Sequence, residues 1–279
     1  MRPDRLYSGY VFDMDGTVYL GDHLLPGVAE TVAVLRERGA TIRYLSNNPT
    51  RDPAQYAEKL AQLGLPTPVE DIVNTVVTTV QWLRDNAPDA VLFPIAEEPL
   101  VAALQAAGFR LSDDPSEIDV VIASYDRHFD YRKLQIAFDA LWFHRRAILV
   151  QTNPDRYCPF PGGRGEPDCA AIVAAIEAST GVTCSANFGK PDPIMARQAL
   201  RGLDIAPADA IMVGDRLTTD IPMGLLAGMR TALVLTGDST LGDLEALPGP
   251  ERPHYVLRSF DELLPDTVWA QARRRPARA

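Results

Sequence analysis

The sequence predicts an α/β fold in which a doubly wound, Rossmann-like parallel sheet is interrupted by an inserted α/β domain. Strand-like and helix-like segments alternate almost throughout the 279 residues. Polar residues suited to chemistry follow several of the predicted strands, and most of them lie near the two ends of the chain. A separate α/β alternation lies between them. Such alternation favours parallel strands joined by helical crossovers, with one domain built from both chain ends.

Hydrophobic spacing and helix-end signals predict the elements of the N-terminal part. Val28, Val32 and Leu35 recur at helical spacing, and Gly39 follows as a helix stop. Asp52-Pro53 has the form of a helix start, with the acid as cap and proline in the first turn. The predicted elements are a strand at 11–13, a helix at 27–38, a strand at 41–45 and a helix at 52–63.

The same pattern continues to the C terminus. It predicts strands at 210–213, 231–234 and 255–257, a helix at about 218–227, and a capping box at Ser259-Phe-Asp-Glu262. The middle of the chain predicts strands at 91–94, 120–123 and 148–151 and helices at 99–107, 131–143 and 168–180. We therefore expect a core domain from residues 1–78 and 188–279, and an inserted domain from residues 79–187.

Composition restricts the classes of partner. The net charge of −10, from 27 basic and 37 acidic residues, disfavours non-specific binding to nucleic acid or to anionic membranes. Three cysteines without a C-x-x-C pair are typical of a reduced, intracellular protein. The chain shows no apolar run of transmembrane length and no apolar signal region at its N terminus. We expect a cytoplasmic protein with no nucleic-acid or membrane partner.

Two pairs of acids follow predicted strands. Asp13 and Asp15 end the first strand before a Gly-Thr turn, and Asp215 follows the strand at 210–213, with Asp220 about one helical turn further on. Ligand sites of α/β proteins lie at the carboxyl edge of the sheet. There these acids could hold Mg²⁺, or one could attack a substrate while another moves a proton. The alternatives are a solvated turn for the first pair and a helix-start acid for Asp220.

Uncharged polar residues and a lysine occupy similar positions. Ser46, Asn47 and Asn48 directly follow the strand at 41–45, and their hydroxyl and amide groups suit phosphate oxygens. Lys190 lies between a predicted strand and a predicted helix, where it could neutralise a phosphoryl group. The alternatives are a polar turn and a surface lysine.

The order of these segments resembles the haloacid dehalogenase (HAD) superfamily. Its four motifs are similar, in order, to Phe12-Asp13-Met14-Asp15-Gly16-Thr17, Ser46, Lys190, and Gly214-Asp215 through Asp220. The resemblance narrows to the NagD-like and para-nitrophenyl phosphatase branch, which carries a large C2-type cap between the second and third motifs. Further segments that carry it are Ser46-Asn47-Asn48, Thr152-Asn153-Pro154-Asp155, residues 171–181 and Gly189-Lys190-Pro191.

This resemblance implies a Mg²⁺-dependent phosphatase that hydrolyses a small phosphorylated metabolite, such as a sugar phosphate or a nucleotide. Asp13 would be the nucleophile that forms an aspartyl-phosphate, and Asp15 the general acid and base. The metal would be held by Asp13, the backbone carbonyl of Asp15, Asp215 and, through water or another ligand, Asp220. The phosphoryl group would be bound by Ser46, Asn47, Asn48 and Lys190. A homodimer formed through the cap is a further expectation.

In this branch, substrate choice is associated with the cap loop after Thr-Asn-Pro-Asp, here residues 155–168. Four residues of this loop are expected to face the substrate: Tyr157, Cys158, Phe160 and Arg164. Two aromatic faces, a small apolar group and a cation suit a ring or sugar with a polar or anionic handle. The alternative is that the aromatic residues pack inside the cap and Arg164 is solvated. The segment Arg164-Gly-Glu-Pro-Asp168 departs from the usual Pro-Gly-x-Gly-Ala of the branch.

Two other functions stay open at this stage. A phosphotransferase or mutase on the same fold is compatible with Asp15, although the large cap favours a hydrolase. A non-catalytic regulatory HAD-like protein is disfavoured because no catalytic position is replaced. Dehalogenase activity is disfavoured because that group typically lacks the second aspartate of the first motif.

Overall fold

The computed structural model describes residues 2–160 and 163–273, and it forms two compact units. The first unit contains the described residues up to Leu45, Ala54–Ile72, and the described residues from Pro191 onwards. The second unit contains the described residues of Ser46–Pro53 and Val73–Lys190.

Strands and helices alternate through both units. The strands are β1 Gly9–Asp13, β2 Tyr19–Leu20, β3 His23–Leu24, β4 Thr41–Ser46, β5 Ile72–Asn74, β6 Val91–Ile95, β7 Arg110–Leu111, β8 Val120–Ala123, β9 Ile148–Gln151, β10 Tyr157–Phe160, β11 Arg164–Pro167, β12 Ala186–Asn187, β13 Ala210–Gly214, β14 Arg230–Val234 and β15 Tyr255–Leu257. The α-helices are α1 Val28–Glu37, α2 Pro53–Gln62, α3 Thr75–Asn86, α4 Glu98–Ala106, α5 Tyr131–Phe138, α6 Cys169–Thr180, α7 Pro193–Leu200, α8 Asp220–Leu226, α9 Leu241–Glu245 and α10 Asp266–Arg273. Single helical turns lie at Val69–Asp71, Asp139–Phe143, Pro207–Asp209, Gly249–Glu251 and Phe260–Leu263.

The main sheet has the order β15-β14-β13-β1-β4-β5, and its pairs from β15 to β4 are parallel. Strands β4 and β5 lie on one side of β1, and the later strands β13, β14 and β15 lie on the other side. The strand order therefore reverses at β1, which is the position where doubly wound sheets bind ligands. All five residues of β1 are buried, as expected for a central parallel strand.

An aromatic core holds the helices to one face of this sheet. Phe12 of β1 meets Phe260 with ring centroids 5.0 Å apart and Tyr44 of β4 at 5.8 Å, both edge to face. Such pairs add about 0.5–1.5 kcal/mol beyond the burial of apolar area. Val28, Val32 and Leu35 of α1, which the sequence places on one helical face, are buried in the same cluster.

The second unit contains a parallel sheet of its own, with the order β12-β9-β8-β6-β7. Its core packs side chains of α6, such as Ile172 and Ile176, with residues of the central strands, such as Val121 and Leu149. An antiparallel hairpin of β10 and β11 forms a separate small sheet. The predicted fold class, a Rossmann-like core with an inserted α/β cap domain, is confirmed.

Most predicted elements end within about two residues of the observed ones. The predicted helix at 131–143 instead divides into α5 and a π-helical turn, Asp139–Phe143, closed by a bond from the His144 N–H to the Asp139 carbonyl of 2.9 Å. The predicted capping box at Ser259 is wrong: the Ser259 hydroxyl donates to Asp261 at 2.5 Å, and Phe260–Leu263 is a single 3₁₀ turn.

Helix α3 and the β10–β11 hairpin were not predicted. The hairpin escapes a pattern search because proline and glycine interrupt its alternation. The predicted domain limits, 1–78, 79–187 and 188–279, stay a prediction, and α3 crosses the first of them. Within the part of the chain described by the structure, no helix combines the length and apolar character needed to cross a bilayer.

Candidate active site

Three buried acids meet at the carboxyl edge of the first unit's sheet. Asp13 ends β1, Asp215 directly follows β13, and Asp220 begins α8. One ligand oxygen from each lies within 4.8 Å of the others, and their exposed fractions are 8%, 2% and 0%. The parallel register pairs Phe12 with Val213, so both acid-bearing strand ends reach the same edge. Three buried carboxylates this close are a donor set for a hard divalent cation.

The surrounding backbone and hydroxyl groups orient these acids. Asp215 accepts hydrogen bonds from the backbone N–H of Asp238 at 2.7 Å and from the Thr17 hydroxyl at 3.4 Å. Asp220 accepts the backbone N–H of Arg216 at 3.1 Å. Fixed donors of this kind hold carboxylates in place without adding a competing charge.

Two glycines leave the space that Asp215 occupies. A Cβ at Gly16 would lie 2.5 Å from Oδ2 of Asp215, and Gly16 also has a φ of +78°, which favours glycine. A Cβ at Gly237 would overlap the same oxygen. The cluster therefore depends on close backbone approach from two separate loops.

The electrostatics of the cluster favour a bound cation. Burial, and then the charges of Asp13 and Asp220, raise the pKa of Asp215 to about 8. Burial alone would lower the pKa of the Arg216 guanidinium, but the nearby acids outweigh this effect and the net pKa is raised. A positive charge at the cluster would relieve the repulsion among its carboxylates.

Asp15 differs from these three acids because its side chain is exposed. Its pKa is raised, first by partial desolvation, while the charge of Lys59 opposes the shift. Solvent screens this perturbation at an exposed side chain. The Lys59 ammonium lies 3.7 Å from the ring centroid of Tyr19. An acid that can keep or release a proton therefore follows the nucleophile candidate by two residues.

The predicted phosphate-binding residues belong to the second unit. Ser46 is the last residue of β4, and its hydroxyl accepts the backbone N–H of Asn48 at 3.1 Å. The Asn47 amide exchanges two bonds with the backbone of Lys190, at 2.8 and 3.0 Å, and donates a third to Asp155 at 3.0 Å. Asn47 thus joins the segment after β4 to the segment that carries Lys190, which is 4% exposed.

The hairpin separates the four predicted specificity residues. Its register pairs Cys158 with Glu166 and Phe160 with Arg164, and paired residues share a face of a hairpin. We call the face that carries these four residues the Cys158 face; its members are Cys158, Phe160, Arg164 and Glu166. Tyr157 pairs with Pro167 on the opposite face and is 61% exposed.

Comparison with known proteins decides the family. A family model described as haloacid dehalogenase-like hydrolase matches residues 10–110, and a HAD-hydrolase-like model matches residues 187–263. An acid sugar phosphatase of Staphylococcus aureus is 33% identical over 262 residues, 93% of this chain and 98% of the relative. The chain belongs to the HAD superfamily of hydrolases.

Solved structures place this HAD protein in the NagD-like branch. A 4-nitrophenylphosphatase from Thermotoga maritima has a TM-score of 0.85 and 31% identity, covering 92% of this chain and 96% of its own. NagD from Escherichia coli K-12 has a TM-score of 0.82 and 28% identity, covering 92% and 98%. The predictions of a NagD-like HAD phosphatase and of a phosphoric monoester hydrolase are confirmed.

Three functional candidates of this HAD phosphatase were absent from the sequence prediction. Arg216 follows Asp215 directly, so the fourth motif contained its signal. Lys59 lies on α2, and its approach to Tyr19 and Asp15 depends on how α2 packs. Glu166 becomes visible only through the pairing of β10 with β11.

Proposed function

We propose that this HAD phosphatase is Mg²⁺-dependent and hydrolyses a small phosphorylated metabolite through an aspartyl-phosphate on Asp13. The observation that carries the proposal is the buried cluster of Asp13, Asp215 and Asp220, with Asp15 exposed beside it. The relatives support a phosphate monoester as the substrate, since two of them are named for sugar and nitrophenyl phosphates.

The acid cluster fits Mg²⁺ because all its side-chain donors are carboxylate oxygens. Asp13, Asp215 and the backbone carbonyl of Asp15 would hold the ion, and Asp220 would act through water or another ligand. When bound, the ion supplies positive charge that neutralises the carboxylates and the phosphoryl oxygens. The Asp13 carboxylate would be the attacking group.

The chain's own residues carry two chemical steps. In the first, a carboxylate oxygen of Asp13 bonds to phosphorus, the bond to the leaving oxygen breaks, and Asp15 donates its proton to that oxygen. In the second, Asp15 takes a proton from water, the water oxygen bonds to phosphorus, and the bond to Asp13 breaks. Inorganic phosphate leaves and both acids return to their starting states.

Four residues of the second unit are proposed to bind the phosphoryl oxygens: Ser46, Asn47, Asn48 and Lys190. The hydrogen bonds between Asn47 and Lys190 support a shared function for the two segments. Because the Asn47 amide already makes three bonds, we expect it to act mainly by positioning Lys190. Ser46, Asn48 and Lys190 would then supply the direct contacts.

The nucleophile is tested by Asp13→Asn, which keeps the side-chain size and removes the attacking charge. Phosphate release from para-nitrophenyl phosphate should fall by several orders of magnitude, and EDTA should abolish the wild-type activity. Asp22→Asn, which changes an exposed acid of the same unit, is the matched control. Full activity in Asp13→Asn would refute the covalent route. Unchanged activity after exhaustive chelation would refute the metal requirement.

The acid role of Asp15 is tested by leaving-group dependence. Asp15→Asn should slow alkyl phosphates by roughly 10²–10⁴-fold, and para-nitrophenyl phosphate less, because its leaving group needs little protonation. The measurement is kcat/KM for both substrates in the same preparation. Equal losses on both would argue against proton donation by Asp15.

A cytoplasmic location and a homodimer formed through the second unit also stay proposals. The dimer is supported by exposed aromatic side chains near the end of α5, with Trp142 at 47% and Phe143 at 68% exposure. Sedimentation of the wild type and of a Phe143→Ser variant tests it. A monomeric wild type at micromolar concentration would rule this interface out.

A further inference from the structure

The Cys158 face of the hairpin carries a carboxylate whose environment suggests a recognition function. Glu166 pairs with Cys158, so both side chains extend from the same face. The sulfur of Cys158 lies 3.9 Å from the side-chain nitrogen of Asn48. The Cys158 face is therefore turned toward the Ser46–Asn48 segment, which we have proposed to bind phosphate.

Within the described residues, Glu166 is hydrogen-bonded through one of its two carboxylate oxygens. The Tyr125 hydroxyl donates to its Oε2 at 2.5 Å, and the Tyr125 side chain is only 3% exposed. No described residue donates a hydrogen bond to Oε1 of Glu166. Since Glu166 is half-buried and its Oε1 accepts no hydrogen bond from the described residues, this oxygen can accept one from a ligand.

A chain of contacts lies behind Glu166 and Tyr125. The Arg127 guanidinium lies 5.6 Å from the ring centroid of Tyr125. Arg127 is itself held by two bonds to Glu97, of 2.6 and 2.7 Å. The charge of Arg127 is therefore paired with Glu97, and its guanidinium packs on the Tyr125 ring. Tyr125, not Arg127, remains the hydrogen-bond partner of Glu166. Pre-organised recognition groups lose little freedom when a ligand binds.

The charges on the Cys158 face select among leaving groups. Glu166 offers an acceptor and would repel a carboxylate, whereas the exposed Arg164 offers donors and would repel an ammonium group. A hydroxyl group both donates and accepts, so neighbouring hydroxyls satisfy both residues. This pair therefore favours a neutral, polyhydroxylated leaving group.

We propose that Glu166, positioned by Tyr125, is a specificity-determining residue that accepts a hydrogen bond from a hydroxyl group of a sugar or polyol phosphate. The inference rests on the proposed function, since it concerns the leaving group of the same phosphate ester. It makes phosphoglycolate, with its carboxylate, a poor substrate.

The test is Glu166→Gln, measured as kcat/KM on hexose phosphate, glycerol phosphate, phosphoglycolate and para-nitrophenyl phosphate. The variant keeps the shape and removes the charge. Losing one charge-assisted hydrogen bond should lower kcat/KM for the two polyhydroxylated substrates by roughly 10- to 100-fold. Phosphoglycolate should improve, and para-nitrophenyl phosphate should change by less than about twofold, because it offers no hydroxyl donor.

Two further variants separate recognition from structure. Tyr125→Phe should raise KM for the polyhydroxylated substrates with little change in kcat, because it frees Glu166 without removing it. Tyr131→Phe, which changes an exposed residue of α5 outside the hairpin, should leave the ranking unchanged. An unchanged ranking in Glu166→Gln, or an equal loss on all four substrates, would overturn the proposal. If the wild type fails to hydrolyse para-nitrophenyl phosphate with Mg²⁺, the proposed function itself fails, which is a distinct result.

Discussion

Asp168 gives the protein a pH-dependent stability that can be worked out from its surroundings. It caps α6, its Oδ1 accepts the Cys169 N–H at 2.6 Å, and its side chain is 4% exposed. Burial, with a further contribution from the charge of Asp155, raises its pKa to about 7 despite the hydrogen bonds that oppose the shift.

The direction of the effect follows from proton linkage. The pKa of Asp168 in the folded protein lies above the value of about 3.9 for an unfolded chain, so the folded state binds this proton more tightly. The free energy of unfolding therefore falls as the pH rises from about 4 to about 7, and this contribution is constant above that range. About 3 pKa units at about 1.36 kcal/mol each give an upper limit of about 4 kcal/mol.

Asp168→Asn removes the charge and keeps a side chain that caps helices equally well. The variant should gain stability relative to the wild type as the pH rises, by up to about 4 kcal/mol at pH 7 to 8. The measurement is urea unfolding between about pH 4 and pH 8, in a Trp269→Phe background. There Trp82 and Trp142 report the second unit.

Asp130 provides the matched control. It caps α5 by accepting the Lys133 N–H at 2.8 Å, but its side chain is exposed. Asp130→Asn therefore measures what the same substitution does at a helix cap that is not buried. Two results would refute the reasoning. The stability difference between Asp168→Asn and the wild type could be the same at pH 5 and pH 8, or it could equal the difference measured for Asp130→Asn.

Two more predictions follow from close contacts. Gly237→Ala should raise the Mg²⁺ concentration for half-maximal activity by roughly tenfold, since the added Cβ would displace Asp215. Gly249→Ala, where a Cβ meets open space, is the control. Equal effects of the two substitutions would contradict the steric argument. Lys133→Met should lower the free energy of unfolding by about 3 kcal/mol, because it leaves the fully buried Asp126 carboxylate without its partner at 2.6 Å. Arg132→Met breaks an exposed ion pair and should cost less than about 1 kcal/mol in the same unfolding assay; similar losses in both would show that burial is unimportant here.

The sequence by itself determined the strand and helix alternation, the fold class and the family. Strong local signals carried these predictions: apolar strands ending in acids, and a glycine or proline at helix ends. Asp13 and Asp215 could be paired in advance because adjacent parallel strands bring their carboxyl ends to one edge.

Only the tertiary structure decided which side chains share a face or a buried space. The hairpin register put Glu166 beside Cys158 and turned Tyr157 away, and no local pattern encodes that register, since proline and glycine occupy it. Burial likewise gave Asp168 its raised pKa, and that burial arises from packing within the second unit. Residue type and spacing specify what a side chain can do, but its partners and its desolvation depend on long-range packing.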